Sequence, residues 1–314
     1  MNNAIEVRGL TRRFGKLTAV DHVEFEVKEG EVFGFLGPNG AGKTTTVRML
    51  TGLLKPTKGT ATIQGHDILT ETLLSRAHLG IVPEEANVYV DLSVWRNVML
   101  MAELHGVPRQ ERMERADRLL EYLGLADKKK QKARSLSKGL RQRLMLCAAL
   151  VTEPKILFLD EPTSGLDVQS ARLIREIVSE RNREGLTVFL TTHNMGEAEE
   201  MCSRLAIINK GRIAAVDTPD GLRDLVRSRQ YTEVGFEGKE PNESDLEALT
   251  GVEQVREKSG LFQLYTKTPG RVATEAVRLA DAKGWKIAHL CTRKPGLEEI
   301  YIHITSSDKK EPSK

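Results

Sequence analysis

The sequence predicts an α/β fold around a parallel sheet, with an antiparallel β subdomain, a helical insertion and a small α+β C-terminal domain. First, the apolar segment 32–36 leads directly into a glycine-rich loop and then into a helical pattern. Second, apolar strands alternate with helices over residues 156–209, as expected for a parallel sheet. Third, the order of predicted strands and helices changes near residue 228 to β-α-β-β-α-β.

Apolar and polar residues alternate over residues 4–30, which predicts antiparallel strands with one buried face. The apolar positions are Ile5, Val7, Val23, Phe25 and Val27. Residues 60–64 add another predicted strand to this subdomain.

A glycine-rich loop follows the apolar segment 32–36 and fits the phosphate-binding pattern G-x-x-x-x-G-K-[ST]. Its glycines lack Cβ atoms, so backbone N–H groups can point at phosphate oxygens. Lys43 supplies a charge for the β- and γ-phosphates, and the hydroxyl of Thr44 is a Mg²⁺ ligand. A helix over 45–54 would direct its positive end at the phosphates. We therefore predict nucleotide contacts, rather than a simple turn, for Gly37, Pro38, Asn39, Gly40, Ala41, Gly42, Lys43, Thr44 and Thr45.

Residues 93 to about 133 have helical periodicity and predict a helical subdomain over about 92–135. Ser93 is suited to cap a helix that Gly106 ends. Pro108 opens a second helix, which Gly124 closes. Its inward residues are predicted to be Met113, Ala116, Leu119, Leu120 and Leu123.

A short apolar strand, 156–160, ends in two carboxylates. Ligands of an open parallel sheet bind at the carboxyl ends of its strands. We therefore expect Asp160 to hold Mg²⁺ and Glu161 to act as general base on the attacking water. The alternative, a solvated acidic turn, is less consistent with the nearby phosphate loop. Further strands are predicted at 187–192 and 204–209, with helices near 169–184 and 195–202.

The C-terminal pattern predicts a small ferredoxin-like unit over 228–305 and a disordered tail over 306–314. It lacks a cluster of titratable residues suited to catalysis. Binding, dimerisation and scaffolding remain open as its role. The larger domain is predicted over residues 1–227.

The run Leu136-Ser-Lys-Gly-Leu-Arg-Gln-Arg143 resembles the signature loop of ABC ATPases, whose common form is Leu-Ser-Gly-Gly-Gln. Ser137 and Gly139 match, whereas lysine and leucine replace a glycine and the glutamine. Other elements of that family follow in order over about residues 3–225. They are Phe14 for adenine stacking, Glu84 where the family usually has glutamine, Asp167 in the loop that links two nucleotide sites, and the switch histidine His193.

The resemblance implies a P-loop NTPase core of the ABC ATPase type, with ATP and Mg²⁺ as cofactors. It also implies a head-to-tail homodimer, in which Ser137 and Gly139 contact the γ-phosphate bound by the other copy. His193 would contact the γ-phosphate and sense its loss. Glu84 is expected near Mg²⁺, the alternative being a position in solvent or against a membrane partner.

The C-terminal unit and the closing Gly-Leu-Glu-Glu-Ile-Tyr segment resemble ATP-binding subunits of daunorubicin-resistance-type exporters. The expected partner is a separate integral-membrane permease, with the chain peripheral on the cytoplasmic face of the membrane. No segment approaches the roughly 18 apolar residues of a membrane span. A net charge of +3 gives no indication of nucleic-acid binding. The three scattered cysteines suggest neither disulfides nor zinc. An importer subunit and a soluble, non-transport ABC ATPase remain the alternatives.

Overall fold

The computed structural model describes residues 2–224, 230–238, 241–293 and 296–307. Contacts divide the chain into two compact units, Met1–Thr218 and Pro219–Lys314. The predicted boundary at 227/228 lies outside the described residues, and the division by contacts falls earlier. Among the described residues, no helix has the length and apolar character needed to cross a membrane.

The first unit contains ten strands and seven α-helices among its described residues. The strands are β1 (Asn3–Phe14), β2 (Leu17–Lys28), β3 (Val32–Leu36), β4 (Lys58–Ile63), β5 (His66–Asp67), β6 (Leu79–Val82), β7 (Ile156–Asp160), β8 (Thr187–Thr192), β9 (Arg204–Asn209) and β10 (Arg212–Asp217). The helices are α1 (Lys43–Leu50), α2 (Thr72–Ala77), α3 (Val94–Leu104), α4 (Arg109–Tyr122), α5 (Lys138–Leu150), α6 (Val168–Arg183) and α7 (Met195–Met201).

Two sheets organise this unit, and both agree with the predicted fold class. The antiparallel sheet has the order β2-β1-β4-β5. The other sheet has the order β10-β9-β3-β8-β7-β6, in which β9 to β6 are parallel and β10 is an antiparallel edge. Strands β5, β6 and β10 were not predicted. Strand β5 has two residues, β6 has four, and β10 has no fully buried residue to give a clear pattern.

An aromatic cluster joins the two sheets in one hydrophobic core. Phe25 from β2 packs against Phe33, Phe35 and Phe189, with ring centroids 5.3 to 5.8 Å apart. Phe158 from β7 extends the cluster to Phe189 at 5.1 Å. Offset aromatic contacts of this kind stabilise a core beyond the area they bury. This packing therefore stabilises the parallel sheet, whose carboxyl edge carries the loops of the site.

Helices α3 and α4 lie within the range 92–135 predicted for a helical subdomain. Ser93 caps α3, because its hydroxyl accepts the N–H of Arg96 at 3.2 Å. Helix α4 buries Ala116, Leu119 and Leu120. Met113 is 44% exposed and its predicted inward position is wrong, since it precedes the buried stripe that begins one turn later.

The second unit folds around its own core and agrees with the predicted element order. Its elements are α8 (Pro219–Asp224), β11 (Tyr231–Glu237), α9 (Glu243–Glu247), β12 (Gln254–Lys258), β13 (Leu261–Tyr265), α10 (Pro269–Lys283), β14 (Lys286–Arg293) and α11 (Leu297–Ser307). The sheet order is β12-β13-β11-β14, with every pair antiparallel. The predicted tail began at Ser306, but α11 includes Ser306 and Ser307, and residues 308–314 lie outside the described ranges.

Candidate active site

Three of the predicted motifs meet at one edge of the parallel sheet. Strand β3 ends at the phosphate loop, β7 ends at Asp160, and β8 ends immediately before His193. These strands are neighbours in the order β3-β8-β7. Because parallel strands share the direction of their carboxyl ends, the three loops converge on the same face.

The phosphate loop curls around the ammonium of Lys43. Its Nζ donates to the carbonyl oxygens of Gly37 at 2.7 Å and Pro38 at 3.3 Å. Gly42 has a φ of 111°, and a Cβ there would lie 2.7 Å from the carbonyl oxygen of Ala19. Only glycine fits this position. Helix α1 begins at Lys43, so its first N–H groups lack partners within the helix and are suited to bind an anion.

Asp160 and Thr44 place two oxygen ligands side by side. The Asp160 carboxylate is 5% exposed and accepts hydrogen bonds from the hydroxyls of Thr191 and Thr44, the latter at 3.5 Å. Mg²⁺ prefers oxygen ligands and usually takes one or two from protein, with phosphate and water completing its shell. The oxygen atoms of Thr44 and Asp160 therefore fit the ligands expected for a nucleotide-bound Mg²⁺ ion.

Glu161 is fixed in the site by charge and by backbone geometry. Its Oε1 lies 3.1 Å from Lys43 Nζ, and its side chain is 7% exposed. Its Oε2 accepts the backbone N–H of His193 at 3.3 Å and lies 2.8 Å from the Nδ1 of the same histidine. A φ of 51° turns the chain sharply after β7. Such strained backbone is found at functional sites, and here it directs a carboxylate into the pocket.

An open pocket of about 280 Å³ lies in front of the phosphate loop. Its lining residues are Ala19, Pro38, Asn39, Gly40, Gly42, Lys43, Thr44, Thr45, Glu84 and Glu161. A neighbouring groove of about 850 Å³ shares Thr44 and Glu84 and also reaches Asp160. The predicted phosphate loop, both carboxylates and Glu84 are thus brought together.

Eight of the predicted residues do not line this pocket: Gly37, Ala41, Asp160, His193, Phe14, Ser137, Gly139 and Asp167. Asp160 instead lines the neighbouring groove, and Nδ1 of His193 contacts Glu161, which does line the pocket. Phe14 ends β1 and is 46% exposed, with the guanidinium carbon of Arg12 lying 4.6 Å from its ring centroid. Ser137 caps α5 by accepting the N–H of Leu140 at 3.3 Å. Gly139 and Asp167 lie beside each other at the starts of α5 and α6. The signature residues Ser137 and Gly139 therefore do not line the phosphate pocket of their own chain.

Asp167 has a structural partner at the start of α6. Its carboxylate accepts the N–H of Ser170 at 2.8 Å, which caps the helix. That backbone hydrogen bond, with a further one from the Ser170 side chain, holds the pKa of Asp167 below its ordinary value. The carboxylate is consequently ionised at neutral pH.

Sequence reasoning missed two residues around the site. Thr191 bonds to Asp160, and its only signal is a hydroxyl at the end of an apolar strand. Glu197 accepts the hydroxyl of Thr163 at 2.8 Å. Burial raises the pKa of Glu197, although the hydroxyls of Thr163 and Thr192 oppose this. No sequence pattern indicated a buried glutamate in α7.

The fold and this site are those of a P-loop nucleotide hydrolase, because Lys43 and Thr44 of the glycine-rich loop and the buried Glu161 line one pocket at the carboxyl edge of a parallel sheet. The sequence profile of the ABC transporter family matches residues 20–164. The ABC transporter ATP-binding protein YhcH of Bacillus subtilis, itself uncharacterised, is 41% identical over 99% of each chain. The daunorubicin resistance ATP-binding protein DrrA3 of Streptomyces coeruleorubidus is 34% identical over 98% of each.

Solved structures of ATP-binding cassettes are also similar to this chain. The structure of an ATP-binding subunit of an ABC transporter is 29% identical, with a TM-score of 0.67, over 71% of this chain and 92% of that one. A dimeric ATP-binding cassette in a post-hydrolysis state, bound to ADP and Pi, is 26% identical with a TM-score of 0.62, over 68% and 98%. The chain belongs to the ABC transporter family as an ATP-binding subunit, and its ATP hydrolysis is coupled to transport. Its resemblance to daunorubicin-resistance-type ATPases is confirmed.

Proposed function

We propose that the protein hydrolyses Mg²⁺-ATP as a symmetric head-to-tail homodimer and drives an exporter through a separate integral-membrane permease. The observation that carries the proposal is the meeting of two adjoining cavities at Thr44, the phosphate pocket lined by Lys43 and Glu161 and the groove lined by Asp160. The protein would act on the cytoplasmic face of the membrane, held there by the permease.

The chemistry is transfer of the γ-phosphoryl group to water. The water oxygen forms a bond to the γ-phosphorus while the bond to the bridging oxygen of ADP breaks. Glu161 orients that water and accepts its proton. Lys43 neutralises charge on the phosphate oxygens, and His193 holds the Glu161 carboxylate in place. Bound Mg²⁺, held through Thr44 and Asp160, would supply further charge neutralisation.

We infer a dimer because the signature residues Ser137 and Gly139 do not line the phosphate pocket of their own chain. Ser137 and Gly139 are proposed to cover the ATP of a second copy, with a hydroxyl and a backbone N–H directed at its γ-phosphate. The dimeric post-hydrolysis cassette to which this chain is similar supports such an assembly. A symmetric dimer creates two equivalent sites. Phe14 is proposed to stack on the adenine.

The permease is proposed to dock at the groove of about 850 Å³ that begins beside Glu84. Glu85, Asn87 and Met101 also line this groove. Tyr89 is 52% exposed next to it in the chain, and Val90 is 45% exposed. A groove that shares Glu84 and Thr44 with the phosphate pocket gives a short route from the nucleotide to the partner.

Export is favoured over import by the named functions of the relatives and by the second unit. A daunorubicin resistance protein matches 98% of this chain, so the match includes the C-terminal domain. We propose binding or dimerisation as the role of that domain.

The direct test measures ATP turnover of the purified chain with Mg²⁺ and with EDTA, and then with the permease co-expressed. The permease candidate is a multi-span protein encoded by a neighbouring reading frame. We expect slow Mg²⁺-dependent turnover alone and stable co-purification with the permease. Absence of Mg²⁺-dependent turnover would contradict the site, whereas transport that requires a separate substrate-binding protein would contradict export.

A further inference from the structure

Lys138, which replaces a glycine of the common signature, contacts the loop that follows Glu161. Its Nζ donates to the carbonyl oxygen of Ser164 at 2.7 Å. The contact lies directly over Gly165, where a Cβ would come within 2.6 Å of the same Nζ. Gly165 also has a φ of 64°, which favours glycine. Both chain segments are therefore shaped for this approach.

The loop contacted by Lys138 is bonded to the backbone of the proposed general base. The N–H of Ser164 donates to the carbonyl oxygen of Glu161 at 3.1 Å, and the N–H of Glu161 donates to Thr191 at 3.0 Å. Two hydrogen bonds in series thus join Lys138 to Glu161. Since Glu161 has a strained φ of 51°, the direction of its carboxylate depends on how this turn is held.

The start of α5 is tied to the start of α6 at two further points. A Cβ on Gly139 would lie 2.6 Å from Ser170 Oγ, so the two helices touch here. Arg143 donates to the same Oγ at 3.2 Å. Because of these contacts, a displacement of Ser137 to Gly139 is expected to move the loop 161–167 of the same chain.

Lys138 occupies a position that the helix itself disfavours. It is the first residue of α5, where the positive end of the helix dipole repels a cation. The Ser164 carbonyl offsets that repulsion by accepting a charge-assisted hydrogen bond. A lysine at this position thus has a specific local partner rather than a general helix-forming role.

We propose that Lys138 is a positioning residue that couples the two ATP sites of the dimer. When Ser137 and Gly139 close on the γ-phosphate of the other copy, Lys138 transmits that movement through Ser164 to Glu161 of its own site. Hydrolysis in one site then depends on ATP in both. This inference rests on the head-to-tail dimer proposed above.

The test is ATP turnover of the full chain as a function of ATP concentration, with half-saturation and Hill coefficient determined together. Lys138→Met removes the donor and keeps the side-chain length, Lys138→Arg keeps a donor, and Lys130→Met is a matched exposed control. We expect a parent Hill coefficient that approaches about 2, the number of sites, and a value near 1 for Lys138→Met with maximal turnover reduced several-fold. The arginine variant should retain cooperativity, and binding of ATP should change less than about twofold in all variants.

Three results would overturn the coupling role while leaving the proposed ATPase function intact. They are a parent without cooperativity, a Lys138→Met variant that keeps the parent Hill coefficient, and a variant whose main change is weaker half-saturation. The last would indicate direct contact between the ammonium and the γ-phosphate. By contrast, a parent that neither binds nor hydrolyses ATP would contradict the proposed function itself.

Discussion

The Lys43 ammonium lies 3.1 Å from Oε1 of Glu161, and these two side chains are only 6% and 7% exposed. Lys43, which we propose binds phosphate, and Glu161, which we propose activates water, therefore form one buried ion pair. Lys43 also donates a hydrogen bond to the phosphate loop, and Glu161 accepts a hydrogen bond from the backbone of His193. Removing one member of such a pair leaves an uncompensated buried charge on the other.

Lys43→Ala should abolish ATP turnover and also destabilise the protein. Breaking a buried ion pair costs roughly 3–5 kcal/mol of unfolding free energy. The measurements are ATP turnover and denaturant unfolding, with Lys130→Ala as the exposed control. A double variant, Lys43→Met with Glu161→Gln, should recover part of the lost stability, because neither charge is then left unpaired. Unchanged turnover in Lys43→Ala would defeat the site assignment.

Glu161→Gln should keep ATP binding and block activation of water, so an ATP-bound dimer should accumulate. Size-exclusion chromatography with ATP and Mg²⁺ measures this as a shift towards dimer. Adding Ser137→Arg should reverse the shift by introducing bulk at the proposed trans contact. Ser137→Ala is its control, because it also loses the α5 cap, at a cost of about 1 kcal/mol, but adds no bulk. A monomer under every nucleotide condition would count against the dimer.

The parts of the site that are continuous in sequence could be predicted, and those that depend on strand order could not. The phosphate loop and the Asp160-Glu161 pair each follow an apolar strand, so spacing alone located them. The bond between Thr191 and Asp160 requires β7 and β8 to be neighbours. The contact of Lys138 with Ser164 likewise requires α5 to pack beside the loop after β7. Periodicity reports the buried face of an element and not its neighbours.

Removal of the second unit, by truncation after Thr218, should leave ATP binding intact. Each unit is compact and has its own hydrophobic core. The phosphate pocket is lined by residues of the first unit alone. We expect loss of dimer stability or of permease coupling, measured by size exclusion and by co-purification. If ATP binding disappeared while the remaining chain stayed folded, the separation into domains would be wrong.

Glu233 should make the stability of the second unit depend on pH. Burial opposes its ionisation, but hydrogen bonds from Gln263 and Arg293 outweigh this and lower its pKa. A depressed folded-state pKa stabilises the fold above the unfolded value of about 4.3, and this contribution is lost as pH falls through the folded value. The difference in unfolding free energy between the parent and Glu233→Gln should therefore be greatest near neutral pH and shrink in acid. Glu237→Gln, at the exposed end of the same strand, is the control. A difference that stayed constant with pH would refute the assignment.

Glu84 is the departure from the family pattern that most directly affects the metal site. It lines the phosphate pocket with Thr44 and Glu161, and the adjoining groove with Thr44 and Asp160. A carboxylate is a hard oxygen ligand and favours Mg²⁺. It also repels the γ-phosphate, and that repulsion grows in a poorly solvated site. A Mg²⁺ ion held between the two negative groups would attract both, so we expect attraction to dominate whenever Mg²⁺ is present.

Glu84→Gln should therefore make nucleotide binding depend less steeply on Mg²⁺ than it does in the parent. Without metal, the variant should bind ATP more tightly than the parent, since the repulsion is gone. With saturating metal, the order should reverse or the difference should vanish. The measurement is ATP affinity and turnover across a Mg²⁺ titration. Glu85→Gln provides the matched control, because Glu85 lines the groove and not the phosphate pocket. Superimposable curves for Glu84→Gln and the parent would exclude the metal role and leave contact with the permease as the better explanation for this carboxylate.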